Sequence, residues 1–311
     1  MNDHAGHGRP VRLSVLHATE YRYEAPVTVS RQLLHLTPRV LSSQSVLVHR
    51  IALTPAPAEW CEGLDYFGNR YSHALITTPH RSLAIIAESQ VLLAPRPREA
   101  AAGHTTAWED ARDLLAATDS PAALDAAHYL FESPHVTPGL GLFDYARVSF
   151  APGRDLFEAA LDLNGRIHRD FEFDPAATTV ATPLDEVLEQ RRGVCQDFAH
   201  LMIGCLRSLG LAARYVSGYL LTQPAPGMPR LIGSDASHAW VALHCPGTAP
   251  ENGGWVDFDP TNDCLVDRDH VTLAWGRDFS DVTPARGVIL GSGDHELKVR
   301  VTVTPDDAVA A

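Results

Sequence analysis

Apolar residues recur at every second position near the start of the chain and at helical spacing further on, and this change of period limits the folds open to it. Val11, Leu13 and Val15 alternate, as do Val46 and Val48, then Ile51 and Leu53 after a slip of one residue. Ser82 to Leu93 is an almost continuous apolar run containing Ile85, Ile86, Val91 and Leu92. Such patterns predict strands buried on one face or both. Asp65-Tyr66-Phe67-Gly68-Asn69 carries the chemistry of a tight turn between two of them. Residues 11–95 are therefore expected to form an all-β domain, after a disordered polar tail over 1–10 in which His4 and His7 lie. Pro95-Arg96-Pro97-Arg98 and the Ala/Gly/Thr-rich stretch behind it predict a linker over 96–120, with a second domain over 121–311.

In that second domain Leu156, Ala159, Ala160, Leu163 and Ile167 fall on one helical stripe, and Ala122 to Phe131 has similar spacing. Pro183 to Arg192 reads as a helix capped by Thr182, with Pro183 at its first position and Gly193 ending it. The next helix runs from about Cys195 to Leu209, and Gly210 suits a left-handed C-cap. Strands are expected at Leu211–Leu221, Ser237–His244 and Trp255–Asp259, with further β structure around Val271–Phe279 and Leu297–Val303. Helices first and a sheet second give an α+β domain.

Bulk properties exclude some functions. A chain of 311 residues with 45% hydrophobic and 20% charged residues has the composition of a folded protein. Its formal charge of −13 argues against a nucleic-acid partner, which requires clustered Lys and Arg. No apolar run approaches the roughly 18 residues of a membrane span, and MNDHAGHGRP lacks the basic start and apolar core of a secretory signal. Five cysteines without regular spacing do not suggest a disulfide framework, so a cytoplasmic location is expected.

Cys195 stands where a helix starts, directly after Gly193-Val194. Unpaired amide N–H groups at such a position favour a thiolate and could also hold an oxyanion. A general base must reach the sulfur, and His238, opening the strand-like segment HAWVAL, is the best candidate. A carboxylate must orient that imidazole. Strand alternation puts Trp255, Asp257 and Asp259 on one face, which leaves Asp257 and Asp259 as rivals for the role. Gln196 and Asp197 are expected to hydrogen-bond within the first helical turn. Trp240 and Trp255 read as core packing, with a wall of the cleft as the alternative, and Arg277, Asp278 and Asp281 as a salt-bridged structural loop, with a substrate-contacting loop as the alternative.

Metal chemistry is disfavoured. Cys195 and His200 are about 140° apart around a helix of about 3.6 residues per turn, and the adjacent His244 and Cys245 point oppositely on a strand. Cys61, Cys205, Cys245 and Cys264 read as inert thiols.

The strings GVCQDFAHLMIGCLRSLGLAARYVSGYL, SHAWVAL and GWVDFDPTN, in that order, resemble the Cys, His and Asp motifs of the transglutaminase-like superfamily. Tyr21-Arg22-Tyr23, Leu36-Thr37-Pro38-Arg39, Phe67-Gly68-Asn69 and the later WGRDFSDV resemble regions of its bacterial members that carry a β-rich N-terminal region. The resemblance implies a papain-like core of helices packed on an antiparallel sheet, with Cys195 as nucleophile and His238 as base. It assigns the acid to Asp259, the Asp followed by Pro and Thr. It also implies cleavage of amide or isopeptide bonds in a peptide or protein substrate through a thioester, without a cofactor or metal. Transfer of the acyl group to an amine is the alternative, followed by a non-catalytic binding module of the same fold. Animal transglutaminases carry an aromatic residue after the nucleophile, whereas this chain has Gln196, so their crosslinking activity does not carry over.

Overall fold

The first strand, β1 (Val11–Val27), is long enough to serve two cores. Leu13 and Val15 at its start pack against the helical part of the molecule, while Tyr23 and Val27 at its end pack inside a sandwich. The computed structural model describes residues 8–96, 106–117, 120–222, 237–246, 253–291 and 293–306. Most of the tail expected over 1–10 and much of the linker expected over 96–120 lie outside these residues.

After β1 come β2 (Val29–Leu34), β3 (Gln44–Thr54), β4 (Glu59–Leu64), β5 (Arg70–Ile76) and β6 (His80–Leu93). The predicted turn joins β4 to β5, with Gly68 at a φ of 70° and its N–H donating to the Asp65 carbonyl at 3.0 Å. Helices follow: α1 (Trp108–Ala117), α2 (Pro121–Ala127), α3 (Leu140–Ala146) and α4 (Leu156–Asp170). Strand β7 (Glu172–Phe173) pairs in parallel with β8 (Arg192–Gly193), and α5 (Leu184–Gln190) lies between them in the chain. Then come α6 (Cys195–Ser208), β9 (Ala213–Leu220), β10 (Ser237–His244), β11 (Trp255–Asp259), β12 (Cys264–Leu265), β13 (His270–Gly276), α7 (Phe279–Val282), β14 (Ala285–Leu290) and β15 (His295–Pro305).

Two four-stranded antiparallel sheets, in the orders β15-β1-β6-β3 and β14-β2-β5-β4, face each other across Leu34, Leu53, Ile76, Leu83 and Ile85. A third sheet, β12-β11-β10-β9-β13, carries α6 on one face. There Phe198, Leu201, Met202 and Leu206 bury against Tyr215, Val241 and Phe258. The chain is thus an α+β protein: an antiparallel sheet covered by helices, joined to a β-rich N-terminal region.

Three expectations are corrected. The last strands, expected in the catalytic domain over 121–311, belong to the N-terminal sandwich: β15 pairs with β1 and β14 with β2. Within the expected linker, residues 108–117 form α1, whose Trp108 and Ala111 are buried in the helical core. The helix that precedes Cys195 starts one residue later than predicted, with Pro183 as its N-cap rather than its first residue. It ends at Arg191, whose φ of 56° turns the chain before Gly193 is reached.

Arg207, on the last turn of α6, shows how the helix is fixed. Its guanidinium is buried and donates to the carbonyls of Tyr129, Phe131, Ala213 and Arg277 and to the Ser133 hydroxyl.

Candidate active site

Helix α6 begins at Cys195 because its N-terminal groups are satisfied locally. The Asp197 carboxylate accepts the Val194 N–H at 2.8 Å and the Thr178 hydroxyl at 2.6 Å. This fulfils the expected first-turn role of Asp197 and is one half of a capping box. Burial pushes its carboxyl up, while those two donors pull it down. Gly193 leaves room for this arrangement: a Cβ there would meet Asp197 Oδ2 at 2.7 Å. Among the described residues, Gln196 has no such partner.

Strand β10 opens at Ser237, which puts His238 at the end of the sheet, and β11 closes on Asp259. His238 Nε2 donates to Asp259 Oδ2 at 2.7 Å. The Asn262 side-chain amide lies 3.3 Å from the same nitrogen, and the Cys195 thiol is a further hydrogen-bonding partner of the imidazole. The structure therefore brings Cys195, His238 and Asp259 together. Cys195 is half-buried, while His238 and Asp259 are buried. Burial lowers the His238 pKa, but the hydrogen bonds and charges of Asp259 and Cys195 outweigh it and raise it from 6.5 to about 10. Burial likewise raises the Asp259 carboxyl, and its imidazole partners overcome this and hold it well below the usual carboxylate range.

The Asp259 carboxylate is saturated with donors. Beyond His238 it accepts the Thr261 N–H at 2.9 Å, the Asn262 N–H at 3.2 Å and the Asn262 side-chain amide at 2.7 Å. A further donor, missed by sequence reasoning, is His270 at the start of β13. Its Nε2 lies 3.2 Å from the same Asp259 oxygen, and its Nδ1 bonds the Asp269 carboxylate. With a carboxylate at each nitrogen, His270 is arranged as an imidazolium. Burial lowers its pKa, and the two carboxylates raise it overall. Nothing in the local sequence marked His270, because its partner is eleven residues away on another strand. Trp240, fully buried as core packing predicts, stands edge-on to the His270 ring at 5.3 Å and close to His238.

His238, Asp259 and His270 offer three ligand atoms within 4.8 Å of one another, a grouping made by three different strands. Both ring nitrogens point at one carboxylate oxygen, the pattern of protonated donors rather than of lone pairs around an ion.

Asp257, the rival acid, pairs instead with Arg96. In the expected structural loop, Arg277 grips Asp281 through two bonds of 2.9 Å and Asp278 caps α7 by accepting the Ser280 N–H at 2.8 Å. His200 accepts the Phe279 N–H, and burial presses its pKa down to about 3. The Cys205 and Cys245 thiols are buried, and burial pushes Cys205 up to about 12. Among the described residues, no helix is long and apolar enough to cross a membrane.

Comparison with known proteins agrees with this architecture. Residues 13–92 match the bacterial transglutaminase-like N-terminal region, and residues 145–260 match the transglutaminase-like superfamily. An uncharacterized protein of Mycobacterium tuberculosis (strain ATCC 25618 / H37Rv) is 42% identical over 298 residues, covering 94% of this chain and 93% of its own length. One of Mycobacterium leprae (strain TN) is 30% identical over 298 residues, covering 94% of this chain and 98% of its own. The crystal structure of a candidate cysteine protease from Cytophaga hutchinsonii shares the fold at 20% identity, with a TM-score of 0.74 over 97% of this chain and 93% of that one. With a β-rich region completed by its own last strands and a helix-on-sheet core bearing Cys195, His238 and Asp259, the chain belongs to the transglutaminase-like superfamily.

Proposed function

We propose that this protein is a cysteine peptidase or amidase that cleaves amide or isopeptide bonds in a peptide or protein substrate, with Cys195, His238 and Asp259 as its catalytic triad. The observation that carries the reading is the imidazole of His238, which bonds Asp259 through Nε2 and has the Cys195 thiol as a further hydrogen-bonding partner.

The Cys195 thiolate attacks the amide carbonyl, and the backbone N–H groups opening α6 receive the oxyanion that forms. The His238 imidazolium gives its proton to the departing amine as the C–N bond breaks, leaving a thioester on Cys195. Asp259 holds the ring in the orientation this transfer needs. Neutral His238 then takes a proton from water, hydroxide adds to the thioester carbonyl, and the carboxylic acid leaves as the thiolate is restored. A cytoplasmic location belongs to the same reading, since the five cysteines lack the regular spacing of a disulfide framework.

The test is turnover of a peptide and isopeptide library by the native chain and Cys195→Ala, with a labelled primary amine present. Cleavage lost in the variant, with mainly free acid as product, is the expected result. Amine adduct predominating at low amine concentration would replace hydrolysis with acyl transfer. Full biological activity of Cys195→Ala would remove the enzyme reading altogether.

A further inference from the structure

The sheet face that carries Trp240 also walls a cavity of about 330 Å3, large enough for a small ligand. Arg96, Arg214, Trp255, Asp257, Thr272 and Trp275 line it, and residues 40–43, between β2 and β3, close one side. Arg214 is only 6% exposed, and its guanidinium carbon lies 4.2 Å from the Trp255 ring centre and 3.7 Å from that of Trp275.

Two buried polar groups in this wall have no hydrogen-bond partner: Arg214 Nε and the Thr272 hydroxyl, the latter residue 2% exposed. Arg207 provides the contrast, since it is equally buried but spends its N–H groups on five acceptors within the protein. Arg214 has the Tyr129 hydroxyl as a partner, and Asp257, the only carboxylate among the described lining residues, is engaged by Arg96. Arg39 stacks on Trp275 at 3.4 Å and adds a third guanidinium nearby. Among the described lining residues two guanidiniums thus accompany one carboxylate, while Asp125 acts on Arg214, and Asp65 on Arg39, from outside the lining. Burying a donor without an acceptor is costly unless a ligand supplies one.

We propose that the cavity binds a small organic oxyanion, a carboxylate or a phosphate ester, held by Arg214 and Arg96 with Thr272 donating its hydroxyl. Trp255, Val216 and Leu41 give the apolar remainder of the ligand a surface to rest on. The cavity neighbours the triad without containing any of its residues: Asp257 and Thr272 each lie two residues from Asp259 and His270 on their strands, and binding is measured without turnover.

Calorimetric titration with benzoate, phenyl phosphate and uncharged benzyl alcohol at constant ionic strength tests it. At least one anion should saturate a single site, and benzyl alcohol should not. Binding should weaken at least tenfold in Arg96→Gln, which also leaves the Asp257 carboxylate unneutralised, and in Thr272→Val. Benzoate alone binding identifies a carboxylate ligand, and phenyl phosphate alone a phosphate ester. On the native chain, the indole N–H resonances of Trp255 and Trp275 should shift with the anion while those of Trp60 and Trp108 stay still. The proposal is overturned if neither anion saturates, if benzyl alcohol binds as well, if folded variants bind like the native chain, or if the Trp255 and Trp275 signals do not move.

Discussion

Asp257 and Asp259 stand two residues apart on one strand, yet Asp259 bonds His238 at 2.7 Å while Asp257 pairs with Arg96. The two carboxylates differ in position by one pleat, and that places only one of them beside the imidazole. Asp259→Asn is expected to lower kcat/KM by about 100-fold or more, and Asp257→Asn by no more than a few-fold. Steady-state kinetics on both variants checks the ranking, and the reverse order would move the acid to Asp257.

His270 shares the Asp259 oxygen with His238 as a second cation. Replacing it with Gln keeps a donor but removes the charge, so Asp259 would favour the His238 imidazolium more strongly. The alkaline limb of the kcat/KM profile should then move to higher pH, with turnover reduced about tenfold by lost positioning. An unchanged limb would leave His270 a packing residue.

The pH dependence of stability follows from the same groups. The raised folded pKa of His238, about 10 against 6.5, gives a contribution fully present below 6.5 and lost as pH rises through about 10. The depressed carboxyl of Asp259 contributes above its unfolded value of 3.8 and loses this as pH falls. Thermal melts should decline on both sides of this window. His238→Ala should flatten the decline between pH 7 and 10, and an identical slope would argue against the shift.

Metal removal should leave activity intact, because no step of the proposed chemistry uses an ion. Added Zn2+ should inhibit by binding His238, His270 and the Asp259 carboxylate, releasing the imidazole protons to solvent. Loss of activity in EDTA, restored by zinc, would instead make this cluster a metal centre.

Gly193→Ala should destabilise the fold by about 1–3 kcal/mol, since the new methyl meets Asp197 at 2.7–2.8 Å. Chemical denaturation measures it. A neutral result would show that the first turn of α6 can shift without cost.

Much of this arrangement was legible in local patterns. The strand bounds at Ser237–His244 and Trp255–Asp259 and the start of α6 at Cys195 follow from periodicity and helix-end chemistry. His270 was not legible, because its role depends on β13 lying beside β9, a pairing set by tertiary packing. The destination of β15 was hidden for the same reason: its alternation says strand, but Val303 opposite Val15 is a contact across 288 positions that leaves no local trace. Arg191 ended a helix in the left-handed conformation that Gly193 seemed better suited to adopt, which shows that packing can impose a φ that propensity disfavours.

The closing strands of the chain also bear on how it is made. Each of the first two sheets takes an outer strand from residues beyond 284, so while the ribosome still holds that stretch both sheets present bare amide edges. A nascent or truncated product ending near residue 280 would therefore be prone to self-association, and recombinant expression would tolerate loss of the C-terminus far less well than the exposure of β15 suggests.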